Sequence, residues 1–126
     1  MWRSNNNSRF APPYDVIELE DRIMIIVEVA GIKAEDVKIN LTDKRLVIHG
    51  VRNRPSFDGA ANHRMEIGYG EFGLDIGLSW DIKQEAVNAS YRGGFLQVEL
   101  PRRPQQQIRV VSGDDNEKQD KAAHDE

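Results

Sequence analysis

The sequence predicts an all-β fold, an antiparallel β-sandwich, on three observations. Apolar residues alternate with polar ones in about seven short segments, the two-residue period of strands with one buried face. Turn-forming glycine, asparagine and aspartate punctuate those segments every several residues. No stretch sustains the three-to-four-residue spacing of an amphipathic helix. Short strands of this kind bury their apolar faces by stacking two sheets.

Residues 1–13 are polar and Asn-rich and end in Pro12-Pro13, which reads as a mobile arm. Its isolated aromatics, Trp2 and Phe10, either pack on the domain edge or offer sticky contacts to partners. Strands begin after Tyr14. Val16 to Glu20 is the first, Asp21-Arg22 a turn, and Ile23 to Val29 the second. In that second strand Ile23, Ile25, Val27 and Val29 share a face, while Met24 and Ile26 put apolar bulk on the other. Gly31 breaks the run, and Ile32 to Asp36 is a connection with room for one helical turn. Val37, Ile39 and Leu41 then alternate with Lys38, Asn40 and Thr42 in a one-sided strand. After a turn at Asp43-Lys44, Leu46, Val47, Ile48 and Val51 build the next strand, ending near Arg52.

Asn53 to Gly68 interrupts this rhythm with Pro55, Gly59 and two alanines, and it is long for a loop inside a compact domain. Phe57 stands out in it as a large apolar residue. Alternation resumes with Phe72, Leu74, Ile76 and Leu78 against Gly73, Asp75 and Gly77. Ser79 to Glu85 connects to a closing hairpin. Val87, Ala89 and Tyr91 share one face before Gly93-Gly94, which supplies the positive-φ positions of a tight turn. Leu96, Val98 and Leu100 share a face after it. Pro101 and Pro104 then end the pairing, because proline has no N–H to donate.

Charge is unevenly spread. From Gly113 to Glu126 there are six acids against two lysines, leaving fifteen acids and fifteen bases in residues 1–112. A neutral body argues against a nucleic-acid partner, which would call for a basic face. The acidic tail has little to bury and reads as disordered and solubilising. No apolar run approaches a membrane span, and the first residues contain no apolar secretion signal, so no membrane partner is expected. The absence of cysteine fits a reducing, cytoplasmic setting and removes thiolate metal sites.

Catalytic and cofactor motifs are missing. Gly68, Gly70 and Gly73 spell Gly-x-Gly-x-x-Gly, but the segment runs into an alternating strand and no helix follows, so it is no nucleotide site. His63 and Glu66 are three apart in a loop-like stretch without a third ligand, and His49 is a strand residue beside Val47 and Val51. Neither an enzyme activity, a metal nor a cofactor is expected.

Four segments, taken together, resemble the small heat-shock protein family with its α-crystallin domain. Ala89-Ser90-Tyr91-Arg92-Gly93-Gly94-Phe95-Leu96, closed by Val98-Glu99-Leu100-Pro101, resembles the family's A-x-x-x-n-G-v-L signature. Val29 to Ile39 is similar to its L-P-G-x-x-x-E-D-I-x-I, Arg45 to Arg52 to its x-L-x-I-x-G-x-R, and Tyr69-Gly70-Glu71-Phe72 to its Y-G-x-F. Ala30 and Ser79 replace the usual prolines, Leu74 stands nearest the family's strand arginine, and the arm is short. The resemblance implies an immunoglobulin-like sandwich over 14–102, an arm over 1–13 and an extension over 103–126. It implies ATP-independent holdase activity on unfolding client proteins, with Trp2 and Phe10 as candidate client contacts. It also implies dimers that swap a strand from the 53–68 loop, with Phe57 in that strand. The tail motif Ile108-Arg109-Val110 is then expected to dock in a neighbour's groove formed by Val37, Ile39, Leu41, Val87, Ala89 and Tyr91.

Elementary physics agrees with such docking. In an extended segment residues i and i+2 point the same way, so Ile108 and Val110 can enter one groove together. Burying each fully is worth about 1.5–3 kcal/mol, much of it offset by ordering the tail. One such link is weak, and many on one assembly act through avidity. The alternative is that Ile108 and Val110 extend the sheet of their own domain, which the two prolines oppose. Two other functions compete: a monomeric co-chaperone adaptor of the CS-domain type, and a β-sandwich ligand-binding module, for instance for carbohydrate. The adaptor has no use for the long loop and the tail motif; the binding module calls for exposed aromatics on one face, where Trp80 stands alone.

Overall fold

The computed structural model describes residues 9–104 and 107–114, with the backbone only at Arg9. Among the described residues eight strands form two four-stranded sheets: β1 (Arg9–Phe10), β2 (Tyr14–Glu18), β3 (Arg22–Glu28), β4 (Val37–Thr42), β5 (Arg45–Arg52), β6 (Gly70–Gly77), β7 (Asn88–Arg92) and β8 (Phe95–Pro101). One sheet has the order β1-β6-β5-β4, the other β2-β3-β8-β7. All pairs are antiparallel except β1 with β6, which is parallel. Two single 3₁₀ turns, Ala34–Asp36 and Gln84–Ala86, sit on the connections that cross between the sheets.

The hairpins follow from local chemistry. Gly93 and Gly94 take φ of 60° and 89°, as a two-residue turn with right-handed strand twist demands. Asp43 and Lys44 adopt the same left-handed region, at φ 46° and 68°, without glycine. The long β4–β5 ladder on either side, from Val37 opposite Gly50 to Thr42 opposite Arg45, holds them there.

Alternation becomes burial between the layers. Ile23, Ile25, Val27 and Val29 face Leu46, Ile48, Phe72, Leu74 and Ile76, with Leu96, Val98 and Leu100 completing the sandwich. Leu78 and Ile82 close one end. Among the described residues no polar or charged residue is buried there. At Gly50 the packing leaves no room for a side chain: a Cβ would stand 2.7 Å from the Asp36 carbonyl oxygen and 2.7 Å from the Phe72 ring. Leu74 points inward and is buried, so the outward positions of β6 beside it are Gly73 and Asp75.

The arm departs from expectation. Residues 1–8, Trp2 among them, lie outside the described residues, but Arg9–Phe10 forms a strand and residues 11–13 lead from it into β2. Phe10 pairs opposite Phe72, Pro12 is buried, and the Pro13 carbonyl accepts a bond from the Glu28 amide at 3.0 Å. A half-buried aromatic on the core outweighs the solvation of a short polar arm.

Candidate functional site

Two flanks of the sandwich are chemically distinct. β4 and β7 are edge strands of different sheets lying over one another, and the space between them is a hollow of about 200 Å³. Val37, Ile39, Ala89 and Tyr91 line it, all from the predicted groove, together with Ala34, Ser90 and Leu96. The Tyr91 hydroxyl donates to the Val29 carbonyl at 2.8 Å, so the ring is pinned as a wall. Two predicted groove residues fall elsewhere. Leu41 lines a second hollow of about 200 Å³ with Ile82, Lys44, Asp81 and Arg103. Val87 ends the 3₁₀ turn Gln84–Ala86 before β7 begins and packs on the core. Ala34, Ser90 and Leu96 were not among the expected groove residues, although Leu96 faces Tyr91 in the β7–β8 register and shares its side.

The tail motif is exposed: Ile108 is 79% and Val110 91% accessible, and neither extends a sheet of its own domain. The glutamines at 105 and 106, the acidic residues from Asp115 on and His124 lie outside the described residues.

The opposite flank carries β2 and the β5–β6 loop. Every residue of β2 is exposed, and Tyr14, Val16 and Ile17 leave 40–48% of their surface accessible on an edge with unpaired backbone groups. The loop forms no strand within the monomer. It shapes a hollow of about 420 Å³ whose walls include Phe57, Met65, Ile67 and Tyr69. Phe57 is 74% exposed; Met65 and Ile67, at 51% and 61%, add apolar surface that the focus on Phe57 missed.

Arg52 anchors the base of this loop. Its Nε and Nη2 donate to the Gly68 carbonyl at 2.9 and 2.6 Å, and Nη1 donates to the Ala30 carbonyl at 2.9 Å. The guanidinium lies 4.7 Å over the Phe10 ring and 5.5 Å from Tyr69, whose ring also meets Arg54 at 4.7 Å. Such cation–ring contacts are worth about 0.5–2 kcal/mol each, most when water is excluded. Phe10 itself is half-buried, so of the two roles considered for it the structure shows edge packing. Local alternation could not reveal this junction, since it joins positions 10, 30, 52 and 68.

No helix among the described residues is long and apolar enough to cross a membrane. Nor does any group of three or more His, Cys, Asp or Glu among them have metal-binding geometry.

Comparison with known proteins follows the same lines. The model of the Hsp20/alpha crystallin family matches residues 15–122. Small heat shock protein C2 of Rickettsia felis is 29% identical over 111 residues, covering 87% of this chain and 72% of that protein. Heat shock protein 16 of Schizosaccharomyces pombe is 31% identical over 105 residues, covering 79% and 73%. A solved small heat-shock protein from Xylella fastidiosa superposes with a TM-score of 0.72 at 22% identity, over 84% of this chain and 98% of that one.

Proposed function

This chain belongs to the Hsp20/alpha crystallin family, and from that premise we propose that it is an ATP-independent holdase whose dimers assemble further through its tail. The family's chaperone role and its habit of forming oligomers are common to the relatives. The surfaces assigned to this chain are our reading. The observation that carries the assembly is the pairing of an exposed Ile108-Arg109-Val110 with an open apolar hollow between β4 and β7. Ile108 and Val110 enter the hollow of a neighbouring molecule against Val37, Ile39, Ala89 and Tyr91.

Dimerisation uses the other flank. β2 offers a bare edge with Tyr14, Val16 and Ile17 exposed, and the loop offers Phe57, Met65 and Ile67. Pairing the loop of one copy with β2 of the other satisfies edge backbone groups and covers both apolar sets at once. Because each copy brings both halves, the interface closes symmetrically.

The test is a heated client whose aggregation is followed by turbidity without ATP, alongside the particle mass by light scattering. Suppression and a mass above the dimer are expected, falling to dimers when Ile108 and Val110 are both replaced by alanine. A 14.3 kDa monomer without suppression would instead indicate an adaptor.

A further inference from the structure

Phe10 sits in a socket that fits an aromatic ring and is built from residues outside the arm. Its floor is the buried Phe72, with ring centroids 5.5 Å apart and planes inclined by 49°. Its roof is the Arg52 guanidinium, 4.7 Å from the Phe10 ring centre. Its wall is bare backbone at Gly68, where a Cβ would stand 2.8 Å from the ring. Arg52 is held by three N–H bonds to the Gly68 and Ala30 carbonyls and by Tyr69 alongside. The socket therefore keeps its shape without help from Phe10.

The strand that carries Phe10 is short. β1 is two residues long, with Arg9 opposite Glu71 and Phe10 opposite Phe72, and its link to the body begins at once with Ala11 and Pro12. A strand this short opens far more readily than the sheet it rests on.

We infer that the socket is an exchangeable binding site for aromatic side chains carried on extended backbone, occupied by Phe10 at rest and by an aromatic residue of an unfolding client when the arm lifts. A guanidinium roof favours an aromatic face over an aliphatic side chain of equal size. The edge of β6 exposed by the arm pairs with extended chain, the form in which an unfolded protein presents its aromatics. Phe10 is then a tethered competitor whose effective concentration keeps weak ligands out. That the ligand is a client rests on the holdase reading; the socket's preference for an aromatic does not.

The experiment uses the full chain, as wild type and as Phe10→Ala, with a labelled peptide of residues 8–13 (Ser-Arg-Phe-Ala-Pro-Pro) and its copy with leucine for phenylalanine. By fluorescence anisotropy, Phe10→Ala binds the phenylalanine peptide about tenfold tighter than wild type, since the tethered competitor is gone. The leucine peptide binds more weakly. A photoreactive phenylalanine at the same peptide position crosslinks to Phe10→Ala at Arg52 or within 68–72. Gly68→Val in the Phe10→Ala background removes binding, and should that variant fold poorly the crosslink map decides alone. Equal binding by wild type and Phe10→Ala, no preference for phenylalanine, or crosslinks elsewhere would each overturn the socket. If peptide binding behaves as expected while no form of the protein suppresses client aggregation, the holdase reading fails and the socket stands.

Discussion

The two flanks of this sandwich meet the same problem in opposite ways. On one, β1 and β2 are edge strands of different sheets, and the chain itself bridges them through Ala11 to Pro13, burying Pro12 and laying Phe10 on Phe72. On the other, β4 and β7 are also edges of different sheets, yet no described segment crosses between them and an apolar hollow remains. The difference is one of connectivity. Where a short covalent link is at hand, closure costs little entropy and the protein fills its own gap. Where the nearest apolar segment is a tail beyond two prolines, the gap stays open for another molecule.

Substitutions at matched positions can break this comparison, and the largest effect belongs to the covered flank. Phe72→Ala removes the ring beneath both Phe10 and Gly50, and is expected to destabilise the domain by about 3–5 kcal/mol in urea unfolding. A loss under about 1 kcal/mol would mean that the arm-covered side is not packed as described. On the open flank Ile39 is half-buried, so Ile39→Ala is expected to cost about 1–2 kcal/mol of stability, less than a fully buried deletion. Its larger consequence falls on assembly, with a lower particle mass in light scattering; an unchanged mass would separate the hollow from oligomer formation. The smallest effect is expected away from both flanks. Arg45 and Asp75 pair at 2.9 Å on the outer face of a sheet, with side chains 63% and 36% exposed. Asp75→Asn should change stability by less than about 1 kcal/mol, because solvent screens such pairs. A greater loss would show that this sheet face is covered in the assembled protein.

Much of the fold was legible in the residues. Seven alternating segments became seven strands, within two or three residues of their expected ends, because burying one face of a pleated strand imposes a period of two wherever it occurs. The Gly93-Gly94 turn was equally plain, since its conformation suits few other residues. Less legible was the fate of the arm. For Phe10 the residues left edge packing and partner contact both open, because its docking depends on Arg52 and Gly68, more than forty residues away. Val87 and Leu41 were expected in the groove because the family resemblance places it along residues 37–41 and 87–91. Alternation reports which side a residue faces, and it is silent on where a strand begins or which hollow it lines. Met65 and Ile67 escaped notice because they are spaced as a strand but flanked by glycine and histidine in a loop.

By itself the chain's order of residues determined the β class, the strand faces, the hairpin turns and the four motif segments of its family. All of these are local, written in side-chain volume, polarity and permitted φ within a few neighbours. Tertiary structure alone decided which strands became edges, which edges lie over one another, and that Arg52 gathers the arm, the loop base and the β3–β4 connection. Backbone hydrogen bonds between strands are nearly blind to residue type, so strand order is settled by how all the apolar faces can be covered at once. That global requirement left the gap between β1 and β2 bridged by the chain's own arm and the gap between β4 and β7 open.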